Sequence, residues 1–418
     1  MKEILERSNL QLRSGWRTLL WILVGLGIVT FIVGLVTGSA ERTWEALLIN
    51  TVFWGGMAQA GVMLSVIWQI TDSKWGRPFK RLAEGFGAFL PVAFLMFILV
   101  FFGGKYLFEW VEHPMPVKAA YLNMGFFVTR NLIALVIMYG ISYFFLMASL
   151  KPDLGFARTL IPGWGGAFAD GVLKGYGDHD TEVVRLELIS RRLAPLLGVV
   201  YAFVASLVAF DFVMSLDQSW FSTLFGVFFF MGNLYSALAL MLIIAYRVRK
   251  LPLLAEYMTI NRVHDLAKLT FAIALVWTYM AFSQYIVIWY SNLPEETPFL
   301  VSRSIIDTPW YNIFWTLFVV LFVFPFVALM ARTVCRKPPL AAAIGLILVI
   351  GQWWAHYLMV VPSIQDRHGV PQFLFGFQEI FVSLGFLGAF FLCYFAFMSR
   401  VPIIPISDKH LCKSWRGH

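Results

Sequence analysis

Cysteine is nearly missing from this chain. Cys335, Cys393 and Cys412 are the whole complement in 418 residues, and no two stand in a C-x-x-C or C-x-x-C-H spacing. That spacing leaves no cysteine ligand set for an iron–sulfur cluster and no attachment point for covalent haem. Charge is scarce too, at 13% of residues against 60% hydrophobic. Histidine is almost confined to the gaps between apolar runs. His356 alone lies inside one, His264 stands at the edge of another, and His113, His179, His368, His410 and His418 fall in loops or tails. Haem inside a helical bundle commonly takes two facing histidines, so a haem-bearing membrane cytochrome is not expected.

Apolar sequence is what abounds. Ten runs near or above twenty residues occupy 16–37, 47–70, 85–104, 125–149, 193–215, 219–246, 266–291, 310–333, 339–361 and 374–398. About 20 apolar residues cross the ~30 Å hydrocarbon core of a bilayer as a helix, and no unpaired backbone polar group survives there. The chain therefore reads as an all-α polytopic membrane protein with ten transmembrane helices. Of 32 Lys and Arg residues, all but Arg42, Lys105, Lys118, Arg130, Arg303 and Arg367 fall in the N-terminal stretch, the even-numbered gaps or the C-terminal tail. The positive-inside rule then places both termini in the cytoplasm. The net charge of +8 is accounted for by these basic inner loops, without nucleic acid. The first run is too long, and too far behind a charged stretch, for a cleavable signal peptide.

The long inner segment 150–192 is rich in Gly and Pro and reads first as loop, then as an amphipathic surface helix over Asp180–Arg192; 251–265 is a second such candidate. A faint internal repeat pairs Arg81–Glu84 before the third run with Arg262–Asp265 before the seventh. It predicts two four-helix bundles, 47–215 and 219–361, with the first and last helices peripheral, although chance similarity between apolar helices rivals it.

Ionisable groups inside a span are costly and usually functional. Arg130, Asp211, Gln284, Tyr285, His356 and Glu379 all fall four to seven residues from the outer ends of their runs. At ~1.5 Å per residue this is one layer roughly 6–10 Å below the outer boundary. An acid and an imidazole beside Phe210, Phe212, Trp353 and Trp354 suit a quinone headgroup, which needs donors at its carbonyls, a proton acceptor and aromatic walls. These groups equally suit an interfacial layer reaching up to water. On the inner side, His264 and Asp265, with Asn233 and Tyr235 deeper in and Asp217 at the outer end of the fifth run, outline a proton path. Helix capping and helix–helix bonding offer the plainer account.

Two blocks carry a resemblance. One is Phe210 to Asp217 (FDFVMSLD) followed by Trp220 to Thr223 (WFST); the other is Arg262 to Lys268 (RVHDLAK), Phe282 to Tyr290 (FSQYIVIWY) and Asn292 to Thr297 (NLPEET). They resemble the NrfD-like membrane subunits of alternative complex III, a bacterial quinol:cytochrome c oxidoreductase, a family that includes the polysulfide reductase membrane anchor. The chain's length is more similar to the second of the two such subunits. The resemblance implies a bacterial cytoplasmic membrane, a paralogous NrfD-like partner, and iron–sulfur and c-type cytochrome subunits on the outer face. It implies quinol chemistry with menaquinone or ubiquinone near that face, linked to proton movement, with no metal in this chain. Glu295 and Glu296 lie in the second block and are expected to contact a partner. A purely structural scaffold is the alternative expectation, and a secondary transporter a weaker one, because transporter sites lie near the midplane.

Overall fold

The computed structural model describes residues 10–251, 254–365 and 375–408, with positions 2, 5 and 373. Arg7, Arg367, His368 and Cys412, with Lys409, His410, Lys413, Arg416 and His418 of the C-terminal tail, lie outside the described residues. Ten helices among them are long and apolar enough to span a membrane: α1 (Ser14–Val36), α2 (Ala40–Ile70), α3 (Arg77–Phe102), α4 (Met124–Leu160), α5 (His179–Leu216), α6 (Phe225–Val248), α7 (Ile260–Ser291), α8 (Tyr311–Met330), α9 (Pro338–Gln365) and α10 (Phe377–Met398). The protein is an all-α, multi-pass membrane protein. Its ten crossings put both ends of the bundle on one face, the cation-rich face, here called inner.

Helix α2 is the axis of the molecule. Its apolar window is 94% buried, against 17% for α1 and α8, because α3, α5, α6, α9 and α10 all pack on it. α4 packs on α3 and α5, α7 packs on α6 and α8, and α1 lies mainly against α10. In lipid, helices associate by close packing rather than hydrophobic expulsion, which favours small residues at the crossings. A Cβ on Gly345 of α9 would sit 2.4 Å from the Ala239 carbonyl of α6, and one on Gly27 of α1 would sit 2.8 Å from Cα of Gly385 in α10.

Three sequence expectations are corrected here. Residues 150–160 are not loop: α4 continues to Leu160 with Pro152 inside it. Asp180–Arg192 is not a separate surface helix but the first third of α5, whose start Asp178 caps by accepting from the Thr181 N–H. Among the described residues of 251–265, only Leu254–Tyr257 forms a short helix of its own, and α7 begins at Ile260.

Candidate functional site

The outer polar layer divides into separate centres. In the first, α5 loosens into a π turn at Ala209–Val213, which carries Asp211. Its carboxylate accepts two bonds from Arg130, Nε to Oδ2 at 2.7 Å and Nη2 to Oδ1 at 2.9 Å. Asn131 adds a third at 2.5 Å and the Tyr121 hydroxyl a fourth at 2.9 Å. Burial and the Asp211 charge push the Tyr121 hydroxyl up to about 12, so it stays protonated and donating. Four donors fill the roughly four lone-pair sites of this acid's two oxygens, which leaves none for a ligand. It ties α4 to α5.

Glu379 is spent in a similar way. It holds Arg42 of α2 with bonds of 2.6 and 2.7 Å and caps α10 by accepting the Gly376 N–H at 2.7 Å. One turn deeper, Asn50 joins α2, α9 and α10 through Ser383 at 2.9 Å and Trp353 Nε1 at 3.1 Å.

Gln284 and Tyr285 do line a cavity. It measures about 170 Å³ and lies between α6, α7, α8, α9 and the short helix Thr297–Ser304. Its walls are aromatic: Trp220 stacks on Phe299 at 3.7 Å and Phe228 on Trp277 at 5.1 Å. Phe318, also in the lining, is 44% exposed, so the cavity reaches the lipid-facing surface along α8. Gln284 is weakly engaged by the protein, with one long bond of 3.5 Å from Nε2 to the Met280 carbonyl. The indole N–H of Trp277 is buried with no partner. Arg303 closes the outer end, and its role follows from a proline. Pro362 inside α9 has no N–H for the Leu358 carbonyl; Arg303 Nε donates to that carbonyl at 3.0 Å, while Nη2 donates to Ser363 at 2.7 Å.

His356 stands behind this cavity rather than in its lining. Its ring meets Phe53 of α2 and Phe229 of α6 edge-on at 5.3 and 5.4 Å. Nδ1 donates to the Gln352 carbonyl at 2.8 Å, which fixes the tautomer and leaves Nε2 as a buried acceptor without a partner. Both ends of the Gln352 amide and Oδ1 of Asn233 are equally unpaired. Trp277 Nε1 and Gln352 Oε1 both lie against Gly232, 3.0 and 3.3 Å from a Cβ built there, so the cavity wall and this polar knot share an edge.

The residues expected on a proton path scatter. His264 lies 4.0 Å from Asp265, which pairs with Lys268 at 2.7 Å at the inner mouth of α7, all partly exposed. Tyr235 donates to the Leu321 carbonyl at 3.2 Å, the carbonyl that Pro325 leaves free four residues on. Asp217 shapes the turn after α5 by accepting from the Ser219 and Trp220 N–H groups. Glu295 is exposed and Glu296 half-buried just before Thr297–Ser304. Reading the sequence missed Arg303, counted as a loop cation, and Trp277. It also missed the acids Glu84 and Asp153, which both bond Arg81 at the inner end of α3 and α4. The Arg81–Glu84 spacing of one helical turn was the available signal.

No protein-family model matches this chain, and no curated protein matches it.

Proposed function

We propose that this chain is a quinone-binding membrane subunit of a respiratory quinol:acceptor oxidoreductase in the bacterial cytoplasmic membrane, of the NrfD-like kind found in alternative complex III. The observation that carries the reading is the aromatic cavity between α6 and α9. An apolar cavity of about 150 Å³ accepts a benzene-sized ring, so about 170 Å³ suits one quinone headgroup, with its tail leaving past the exposed Phe318. Gln284 supplies an under-used amide for one carbonyl, the Trp277 N–H is a second donor, and Tyr285 lines the same wall. His356, whose Nε2 is a buried acceptor one polar step behind that wall, suits the proton acceptor. Quinol bound there would supply two electrons and two protons: the protons would leave one after the other through His356, and the electrons would pass to partner subunits on the outer face, a paralogous membrane subunit and iron–sulfur and c-type haem proteins; Glu295 and Glu296 are offered to them.

Quenching of tryptophan fluorescence by a short-chain quinone tests this directly, because Trp220 and Trp277 form the walls. Ala281→Phe fills the cavity and should weaken binding by about tenfold or more, some 1.4 kcal/mol. Unchanged affinity would place the quinone elsewhere or nowhere in this chain. A scaffold role is favoured by one observation, the saturation of Arg130–Asp211 and Arg42–Glu379 by interhelical bonds, and unaltered quenching would leave that reading standing.

A further inference from the structure

We propose that Arg81, Glu84 and Asp153 form a proton-binding site open to the inner face, and that it feeds a column of polar side chains along α2 ending at His356. As the proton-handling side of the function above it rests on that reading, but its test needs no quinone.

One guanidinium stands between two acids. Arg81 donates to Glu84 Oε2 and to Asp153 Oδ2, both at 2.5 Å, and all three residues are at most 1% exposed. Ser65 of α2 and Ser149 of α4 donate to Glu84 Oε1 at 2.8 and 2.7 Å, and the Ser407 N–H donates to Asp153 Oδ1 at 2.8 Å. With both acids ionised this trio carries one net negative charge on almost fully buried residues, which costs several kcal/mol where neither water nor a cation offsets it. The charges packed around it are largely committed. Arg77 is bonded to Asp72 and Asp408, and Arg191 of α5 to Glu187. Lys80 remains: it is 7% exposed, and its ammonium bonds the neutral Gln69 amide at 3.0 Å. Two buried acids and a buried amine with a neutral partner thus share one site. A proton taken by either acid cancels the trio's net charge, and the Ser65, Ser149 or Ser407 hydroxyl can turn to accept it. A polar cavity of about 320 Å³ brings inner-face water to Asp153, Ser149 and Lys80.

Above the trio, α2 buries Ser65 and Gln59 on its packed faces. The apolar interval between them is ~9 Å, a dry stretch that stops free leakage and must be wetted transiently. Gln59 Nε2 then donates to Ser142 of α4 at 2.9 Å. Next to it lies a cavity of about 20 Å³ lined by Gln59, Tyr139, Tyr201 and Asn233, the size of a single water. Asn233 Oδ1, the Gln352 amide and His356 Nε2 continue the line as buried groups lacking protein partners, as groups that orient passing water would. A hydronium proton is taken by a Glu84 or Asp153 oxygen, leaving water behind. It passes along the Ser142 hydroxyl and along water held by the Gln59, Asn233 and Gln352 amides, each hydroxyl or water taking one proton and giving up another, and ends on His356 Nε2 or runs back in reverse.

Infrared difference spectra of the lipid-reconstituted chain between acid and neutral pH test the entry site. A carboxylic-acid carbonyl band that shifts in D2O should appear in the wild type and disappear in either Glu84→Gln or Asp153→Asn. Its survival in both variants overturns the site. Should either variant fail to fold, Ser65→Ala and Ser149→Ala remove donors to Glu84 without touching charge and should move the band; no movement has the same force. For the column, proton flux into quinone-free proteoliposomes under an imposed pH gradient should fall about a hundredfold in Asn233→Leu, as for a broken water chain. Equal flux in that variant and the wild type refutes the route. Quinone quenching, measured on the same samples, separates this failure from failure of the cavity reading.

Discussion

Removing Arg130 separates an anchoring role for the α4–α5 acid from a catalytic one. Asp211 is fully buried and its partner's side chain is 9% exposed, so Arg130→Met leaves a carboxylate in the membrane interior with Asn131 and Tyr121 as its remaining donors. Breaking a buried pair by deleting one partner costs about 3–5 kcal/mol, whereas replacing both by apolar residues of similar volume is often neutral or stabilising. Arg130→Met and Asp211→Leu should therefore each destabilise strongly, and the double variant should recover most of the loss. The difference is a coupling free energy of a few kcal/mol. Equilibrium unfolding in mixed micelles, followed by tryptophan fluorescence, measures all four proteins. Under the proposed function, the same double variant, assembled with its partners, should retain quinol turnover. Single variants within about 0.5 kcal/mol of wild type, or a double variant worse than both singles, would refute the anchoring account. A folded double variant with abolished turnover would return Asp211 to the chemistry.

Tyr235→Phe should cost about 1–3 kcal/mol by orphaning the Leu321 carbonyl, and Pro325→Ala should suppress that cost by restoring a helical N–H; stability with and without the proline substitution checks it. Arg303→Met should be severely destabilising for the parallel reason at Leu358, and less so beside Pro362→Ala. The Asp178 carboxyl is held below its ordinary 3.8 by the backbone N–H and hydroxyl of Thr181. Its contribution to the start of α5 is therefore present above that value and is lost as pH falls through the depressed one. Melting of the wild type against Asp178→Asn from neutral to acid pH should show the difference vanish at the acid end.

Hydropathy made all ten crossings legible, because the bilayer imposes a length and a composition that few other environments do. Their ends were harder to place. The Gly- and Pro-rich stretch after 149 looked like loop, yet α4 runs through Pro152, and Arg81 Nη2 donates to the Ser149 carbonyl in that turn at 3.0 Å. In the polar layer, distance along each run supplied depth but no azimuth. Depth alone grouped Arg130, Asp211, Gln284, His356 and Glu379. Only packing shows that Arg130 and Asp211 face each other, that Glu379 turns to Arg42, and that Gln284 faces an open cavity with His356 behind it. Arg42 and Arg303 looked like loop cations. Each is instead committed within the fold, one to a buried acid and the other to a carbonyl exposed by a proline.

That commitment gives a way to rank the buried polar groups. Donors and acceptors removed from water without a partner cost about 1–3 kcal/mol each. The fold has found partners for its most conspicuous membrane charges, Arg42, Arg81, Arg130, Asp211, Arg303 and Glu379. Yet among the described residues Gln352 is buried with both ends of its amide unpaired, one turn from a histidine whose Nε2 is also unpaired. A merely structural amide at the α2–α6–α9 junction would be replaced at a gain by an apolar residue of its size. Because water enters this junction only as a proton passes, Gln352→Leu and Gln352→Met should stabilise the resting chain by about 1–3 kcal/mol while lowering quinone-free proton flux. If they destabilise it instead, the amide is already satisfied by bound water and packing, and the stability penalty assigned to this junction is wrong.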